Sequence, residues 1–117
     1  PRRRLLTYLE SNIAKFLEYE GKCPCLVVKL ASEVASFSES MREVLAEGHK
    51  DWAKITETLI REGIESGAIQ VRHDPALIAN LIEALWTGAM QHAMLSRNAE
   101  ALRSAHRFIA EELIPEA

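Results

Sequence analysis

Very little in this sequence points to a sheet, a disulfide scaffold or a membrane span. Cysteine occurs only at Cys23 and Cys25, too few to staple a chain of 117 residues that has apolar side chains enough for a core. The longest apolar runs are short, such as Cys25-Leu26-Val27-Val28, and no segment is long enough to cross a bilayer. A basic and apolar export leader is missing too, so a cytoplasmic location is expected. Positive charge is scarce: the net charge is −3, whereas a free-standing nucleic-acid binder carries a basic excess. Arg2-Arg3-Arg4 is the one local exception, and three cations at a helix start oppose its dipole. That conflict suggests that the first helix continues into, or docks on, something upstream. Internal repeats, low-complexity stretches and long linkers are absent, which leaves a single domain over 1–117.

What the chain does have is helical periodicity from end to end. Its composition, 48% hydrophobic and 26% charged, supplies enough apolar surface to exclude disorder. A first helix is predicted from Arg2 to Tyr19, with Leu5, Leu6, Leu9, Ile13, Phe16 and Leu17 on its inner face and Gly21 as its terminator. Pro24 opens a short apolar helix to Ala35. Ser36 and Glu39 read as a capping box for a long third helix, from Phe37 to Ser66. Its inner stripe runs through Met41, Val44, Leu45, Gly48, Trp52, Ile55, Leu59, Ile60 and Gly63, and Gly67 ends it. Asp74-Pro75 starts the fourth helix, to Leu95. Asn98 caps the fifth, from Ala99 to Leu113, and Pro115 closes it. The fold class is therefore all-α, a five-helix bundle.

The last two helices carry more apolar surface than one bundle needs. Leu77, Ile78, Leu81, Ile82, Leu85, Trp86, Ala89, Met90 and Ala93 cover well over half of the fourth helix, and Ala84 and Gly88 would admit a close neighbour. The fifth adds a stripe of Leu102, Ala105, Phe108 and Ile109. Two copies would bury these faces as a four-helix bundle across a two-fold axis. The predicted dimer interface is Leu81, Ala84, Leu85, Gly88, Leu102, Ala105, Phe108 and Ile109.

Four stretches resemble the C-terminal domain of the TetR family of transcriptional regulators. The first is an amphipathic helix ending at Gly21, followed by Cys25-Leu26-Val27-Val28-Lys29-Leu30-Ala31-Ser32-Glu33. The second is Arg61-Glu62-Gly63-Ile64-Glu65-Ser66-Gly67-Ala68-Ile69. The third is His73-Asp74-Pro75-Ala76-Leu77-Ile78-Ala79, and the fourth is Ala84-Leu85-Trp86-Thr87-Gly88-Ala89. The resemblance implies an all-helical ligand pocket, a homodimer built on the last two helices, and repression at an operator. No helix-turn-helix precedes Arg2 in this chain, so operator DNA is expected as a partner only through a missing N-terminal domain.

On that reading a small hydrophobic or aromatic effector enters among the first four helices. The predicted pocket residues are Phe16, Leu30, Val34, Trp52, Ile55, Leu59, Trp86 and Met90, each on its helix's inward stripe, with His92 or Gln91 as an orienting polar group. Core packing would account for the same apolar residues, so a dimerisation module without a ligand is the alternative. Cys23-Pro24-Cys25 offers only two of the four ligands that tetrahedral zinc needs, and a ring between the two would be strained. A thiol-metal sensor is thus a remote third reading. No nucleophile stands beside a recognisable base, and no enzyme activity, cofactor, metal or membrane partner is expected.

Overall fold

The computed structural model describes residues 2–18 and 38–117. Four helices follow in order: α1 (Arg2–Glu18), α2 (Glu39–Glu65), α3 (Pro75–Ser96) and α4 (Glu100–Phe108). A wide π-helical turn, Ile109–Leu113, continues α4. The short helix predicted over 24–35 lies outside the described residues, and so do the Gly21 stop, Ser36 and both cysteines. Among the described residues no helix is long and apolar enough to cross a membrane. The one extended pairing there is an isolated antiparallel bridge between Ile69 and Glu116.

Local chemistry sets the helix boundaries. The cap of α2 is Ser38, whose hydroxyl accepts from the Met41 N–H at 3.3 Å. Its far end closes in the paired bonds of a Schellman motif. The Ala68 N–H reaches the Gly63 carbonyl at 2.9 Å, the Gly67 N–H reaches that of Ile64 at 3.1 Å, and Gly67 takes φ +79°. Pro75 starts α3, where its missing N–H leaves no bond unmade. Asp74 occupies the cap position without a side-chain capping bond and lies 3.9 Å from Arg61 instead. The Asn98 side chain accepts from the Glu100 N–H at 3.0 Å and so turns the chain into α4.

Helix α3 is the centre of the packing. It lies on both α2 and α4, and α1 closes the bundle against α2 and α4. One cluster unites Leu5, Leu9 and Phe16 of α1, Ile60 of α2, Ile78, Ile82, Trp86 and Met90 of α3, and Leu102 and Ile109. Leu17, predicted to face inward, is half exposed.

The buried row of α2 is the predicted one only in part. Ala53, Thr56, Ile60 and Gly63 face the core, Trp52 and Leu59 flank them half-buried, and Met41, Val44 and Ile55 are exposed. Ala53 and Thr56 thus sit on the contact line with Ile60, while the larger Trp52 and Leu59 lie at its flanks. Ile60 and Gly63 belong to the expected stripe, whereas Ala53 and Thr56 take the place that large apolar residues alone would give to Ile55. The Arg2-Arg3-Arg4 conflict is also met within the fold, because Arg2 bonds the carbonyls of Ala110 and Ile114 and Arg4 pairs with Glu62.

Gly63 is where the packing leaves least room. A Cβ there would stand 2.3 Å from Cδ1 and 2.8 Å from Cγ1 of the buried Ile69. Gly63→Ala should therefore lower the unfolding free energy by about 1–2 kcal/mol, the steric cost exceeding the ~1 kcal/mol helix-propensity gain. With Ile69→Ala in the background the same change should become neutral or stabilising. Denaturant titrations of the four variants measure both effects, and equal effects in the two backgrounds would refute the steric account.

Candidate functional site

The inward stripe of α3 brings part of the predicted pocket together. Phe16, Trp86 and Met90 are all buried in one cluster, with Trp52 and Leu59 packed at its edge. The Trp52 ring also meets Tyr8 of α1, with centroids 6.4 Å apart and planes tilted by 44°. Leu30 and Val34, the predicted wall from the short helix, lie outside the described residues. Three predicted members fall away from the site. Ile55 is 61% exposed because it sits beyond the flank of the Ala53–Thr56–Ile60 row. His92 and Gln91 are exposed as well, since α3 turns its Ile82–Trp86–Ala89 row inward and carries them outward.

The polar groups at the site are different ones. His49 of α2 pairs through Nδ1 with the Glu83 carboxylate of α3, whose side chain is largely buried. Both residues stand one turn before a tryptophan, His49 before Trp52 and Glu83 before Trp86. Sequence reasoning missed the pair, although a signal was available: the small-residue row Gly63, Ile60, Thr56, Ala53, extended back by one turn, reaches His49. Trp86 adds a second polar feature. It is 6% exposed, and its indole Nε1 is buried with no hydrogen-bond partner among the described residues. An unpaired buried donor costs on the order of 1–3 kcal/mol, so this N–H marks the place in the core where an acceptor would be welcome.

The opposite side of α3 is apolar and uncovered. Leu77, Leu81 and Leu85 are 47%, 45% and 37% exposed, with Ala84 exposed and Gly88 half-buried between them. At about 100° per residue Leu77, Ala84 and Gly88 lie on the far side of the helix from Ile82, and Leu81 and Leu85 on its flank. Phe108 of α4 is exposed as well, at 52%. Leu102, Ala105 and Ile109, predicted to belong to the dimer interface, are instead buried in the protomer. Helix α4 has a single strong apolar row, and packing on α3 and α1 consumes it.

A groove of about 830 Å³ opens at another end of the molecule, lined by Arg2, Arg3, Leu6, Thr7, Glu10, Gly67, Ala68, Glu116 and Ala117. It shares no residue with the predicted pocket. Among the described residues no three His, Cys, Asp or Glu side chains are placed to hold a metal. Ionisation is shifted at Glu39 and Arg42, at the start of α2. The hydrogen bond and charge of Arg42 hold the Glu39 carboxyl below the usual carboxylate range, at a fully solvated helix start far from the tryptophans.

Geometry of this kind, a central helix apolar on two sides in an all-helical bundle, can be compared with known proteins. The family described as Tetracyclin repressor-like, C-terminal domain, matches residues 1–109. The chain belongs to this TetR family. It is similar to the HTH-type transcriptional repressor NemR of Escherichia coli K12, 31% identical over 104 residues, 89% of this chain and 52% of that protein. It is also similar to the HTH-type transcriptional repressor DhaR of Mycobacterium sp. strain GP1, 31% identical over 115 residues, 98% of this chain and 56% of that protein. The chain thus spans about half the length of the curated relatives it matches. Its fold matches the crystal structure of the reduced form of E. coli NemR with a TM-score of 0.87 at 29% identity, over 98% of this chain and 58% of that one. Regulatory protein TetR from Rhodobacter sphaeroides matches with a TM-score of 0.83 at 26% identity, over 90% of this chain and 56% of that one.

The unpaired indole gives a direct test of the site within this TetR-family domain. Trp86→Phe removes the orphan donor, which regains on the order of 1–3 kcal/mol, and leaves a smaller ring, which costs about 1 kcal/mol. Its stability should therefore equal or exceed that of the parent chain in a denaturant titration. A loss of more than about 2 kcal/mol would mean that Nε1 already has an acceptor in the resting fold.

Proposed function

We propose that this chain is the dimerising, effector-responsive half of a TetR-family transcriptional repressor, with a regulatory and not a catalytic role. The observation that carries the reading is the double use of α3, which buries one apolar face in its own protomer and leaves the other bare. A second copy offers the same bare face, so α3 and α4 of two protomers would form a four-helix bundle about a two-fold axis. Ala84 and Gly88 sit in the middle of that face and would let the two α3 helices approach closely.

Effector binding takes place on the other face. A small hydrophobic or aromatic molecule would insert among α1, α2 and α3 beside Phe16, Trp52, Trp86 and Met90. The unpaired Trp86 N–H, and the Glu83–His49 pair one turn away, support that location, because they give an otherwise apolar site a fixed polar edge. Phe16, Trp86 and Met90 are packed in the present conformation, so the effector would select a conformation in which they part. The described relatives are HTH-type repressors about twice as long as this chain. Operator DNA would be held by the helix-turn-helix domain that such a protein carries, and α1 would pass on the conformational change.

Gly88 separates the dimer from the protomer experimentally. Nothing lies within 4 Å of a Cβ built there, so Gly88→Asp leaves the protomer intact. In a dimer it would bury an unpaired charge, a cost of at least about 3 kcal/mol, or roughly a hundredfold in dissociation constant. Sedimentation should show a dimer for the parent chain and a monomer of unchanged helicity for the variant. A parent chain that stays monomeric at high micromolar concentration would remove the proposal.

A further inference from the structure

The last turn of the chain leaves backbone carbonyls without partners, and a side chain from its far end supplies them. In the π-helical turn the Ile114 N–H bonds the Ile109 carbonyl at 2.9 Å instead of that of Ala110. The next residue able to serve Ala110 in this wider spacing is Pro115, which has no N–H. Arg2, the first residue of α1, fills the gap. Its guanidinium donates from Nη2 to the Ala110 carbonyl at 3.0 Å, from Nε to the Ile114 carbonyl at 2.8 Å, and from Nη1 to the Glu116 carboxylate at 3.3 Å. The side chain is only 20% exposed, so these bonds are better shielded than those of an ordinary surface pair.

The tail that Arg2 grips is itself stitched to the connector between α2 and α3. The Gln70 N–H bonds the Pro115 carbonyl at 3.0 Å, and the Ala117 N–H bonds that of Ala68 at 3.3 Å. Ile69 and Ile114 are both buried, and the Ala68 and Ile69 N–H groups hang from the Gly63 carbonyl at the end of α2. One continuous path of bonds thus runs from the start of α1 through the end of α4 to the end of α2. Farther along α1, His106 of α4 lies 3.3 Å from the Leu6 carbonyl and 3.2 Å from Glu10. Those contacts hold the body of α1, whereas Arg2 holds its first turn. Arg4 and Glu62 add only an exposed pair at 3.3 Å.

We propose that Arg2 is a latch, a positioning residue that makes the first turn of α1, the turn after α4 and the 68–70 connector open and close as one body. Its regulatory meaning rests on the function proposed above. There α1 leads to the DNA-binding domain and α4 belongs to the dimer frame, so the closed latch would fix that domain relative to the two-fold axis. A latch released by movement of α1 would free it.

Hydrogen exchange on this chain tests the latch residue by residue. The Leu6 and Thr7 amides report the first turn of α1, Gln70 reports the connector, and Ile82 and Leu102 report the core. Arg2→Ala should speed exchange about tenfold at Leu6, Thr7 and Gln70 together while leaving Ile82 and Leu102 unchanged. The Gln70 N–H bonds Pro115 and not Arg2, so its response reads the coupling through the tail. Arg2→Lys should behave like Arg2→Ala, because an ammonium on a flexible stem cannot serve three acceptors with a planar fork. Exchange that changes at Leu6 without Gln70, at neither, or uniformly through the core would overturn the latch, and so would full rescue by Lys. Sedimentation of the same samples keeps the two ideas apart. A monomeric parent would end the regulatory reading, while the exchange pattern would still decide the latch.

Discussion

Helix α3 has apolar side chains around almost its whole circumference, and the rest of the architecture follows from having to cover them. Among the described residues, three neighbouring helices enclose one side. Helices α2 and α4 therefore lie along the Ile78–Ile82–Trp86–Ala89 side, and α1 closes the layer above them. The Leu77–Leu81–Leu85 side remains against water. Exposed apolar area of that extent, arranged as a single stripe, is uncommon on an isolated protomer. The same helix thereby contributes to the inner site and to the outer face, which brings any movement at Trp86 close to any partner at Gly88.

Much of this was legible in the residues. Helix boundaries at Pro75, Gly67 and Asn98 follow from local chemistry that acts within a turn or two, and the structure uses each of them. The surplus on α3 was legible too, because a helix apolar all round needs no knowledge of its neighbours to be recognised. Resemblance to the TetR family rested on several short stretches in the right order, and the family match over residues 1–109 agrees with it.

What the sequence hid depends on pairs of helices. The buried row of α2 includes Ala53 and Thr56 beside the expected Ile60 and Gly63. A count of large apolar residues instead favours Met41, Val44 and Ile55, which are exposed. The apolar row of α4 could have served either the protomer or a partner, and only the packing assigns Leu102, Ala105 and Ile109 inward. Polar members of the site were hidden for the same reason. His49 and Glu83 are 34 residues apart and become partners only when α2 and α3 align.

The outcome at α4 ties these observations together. With its apolar row spent inside the protomer, α4 presents little beyond Phe108 outward, and α3 supplies most of the bare face. Helix α4 then acts less as an interface than as a rod. Its packed row fixes it to α3, and its last turn, short of one N–H at Pro115, fixes it to the first turn of α1 through Arg2. On the function proposed above, a displacement of α3 against α2, of the kind an inserted ligand at Trp86 would require, would pass by close packing to α4. From there it would reach the start of α1 through hydrogen bonds, which have a defined geometry and break over a short distance. In that reading packed rows would transmit movement along the bundle, and the Arg2 contact at its end would hold or let go.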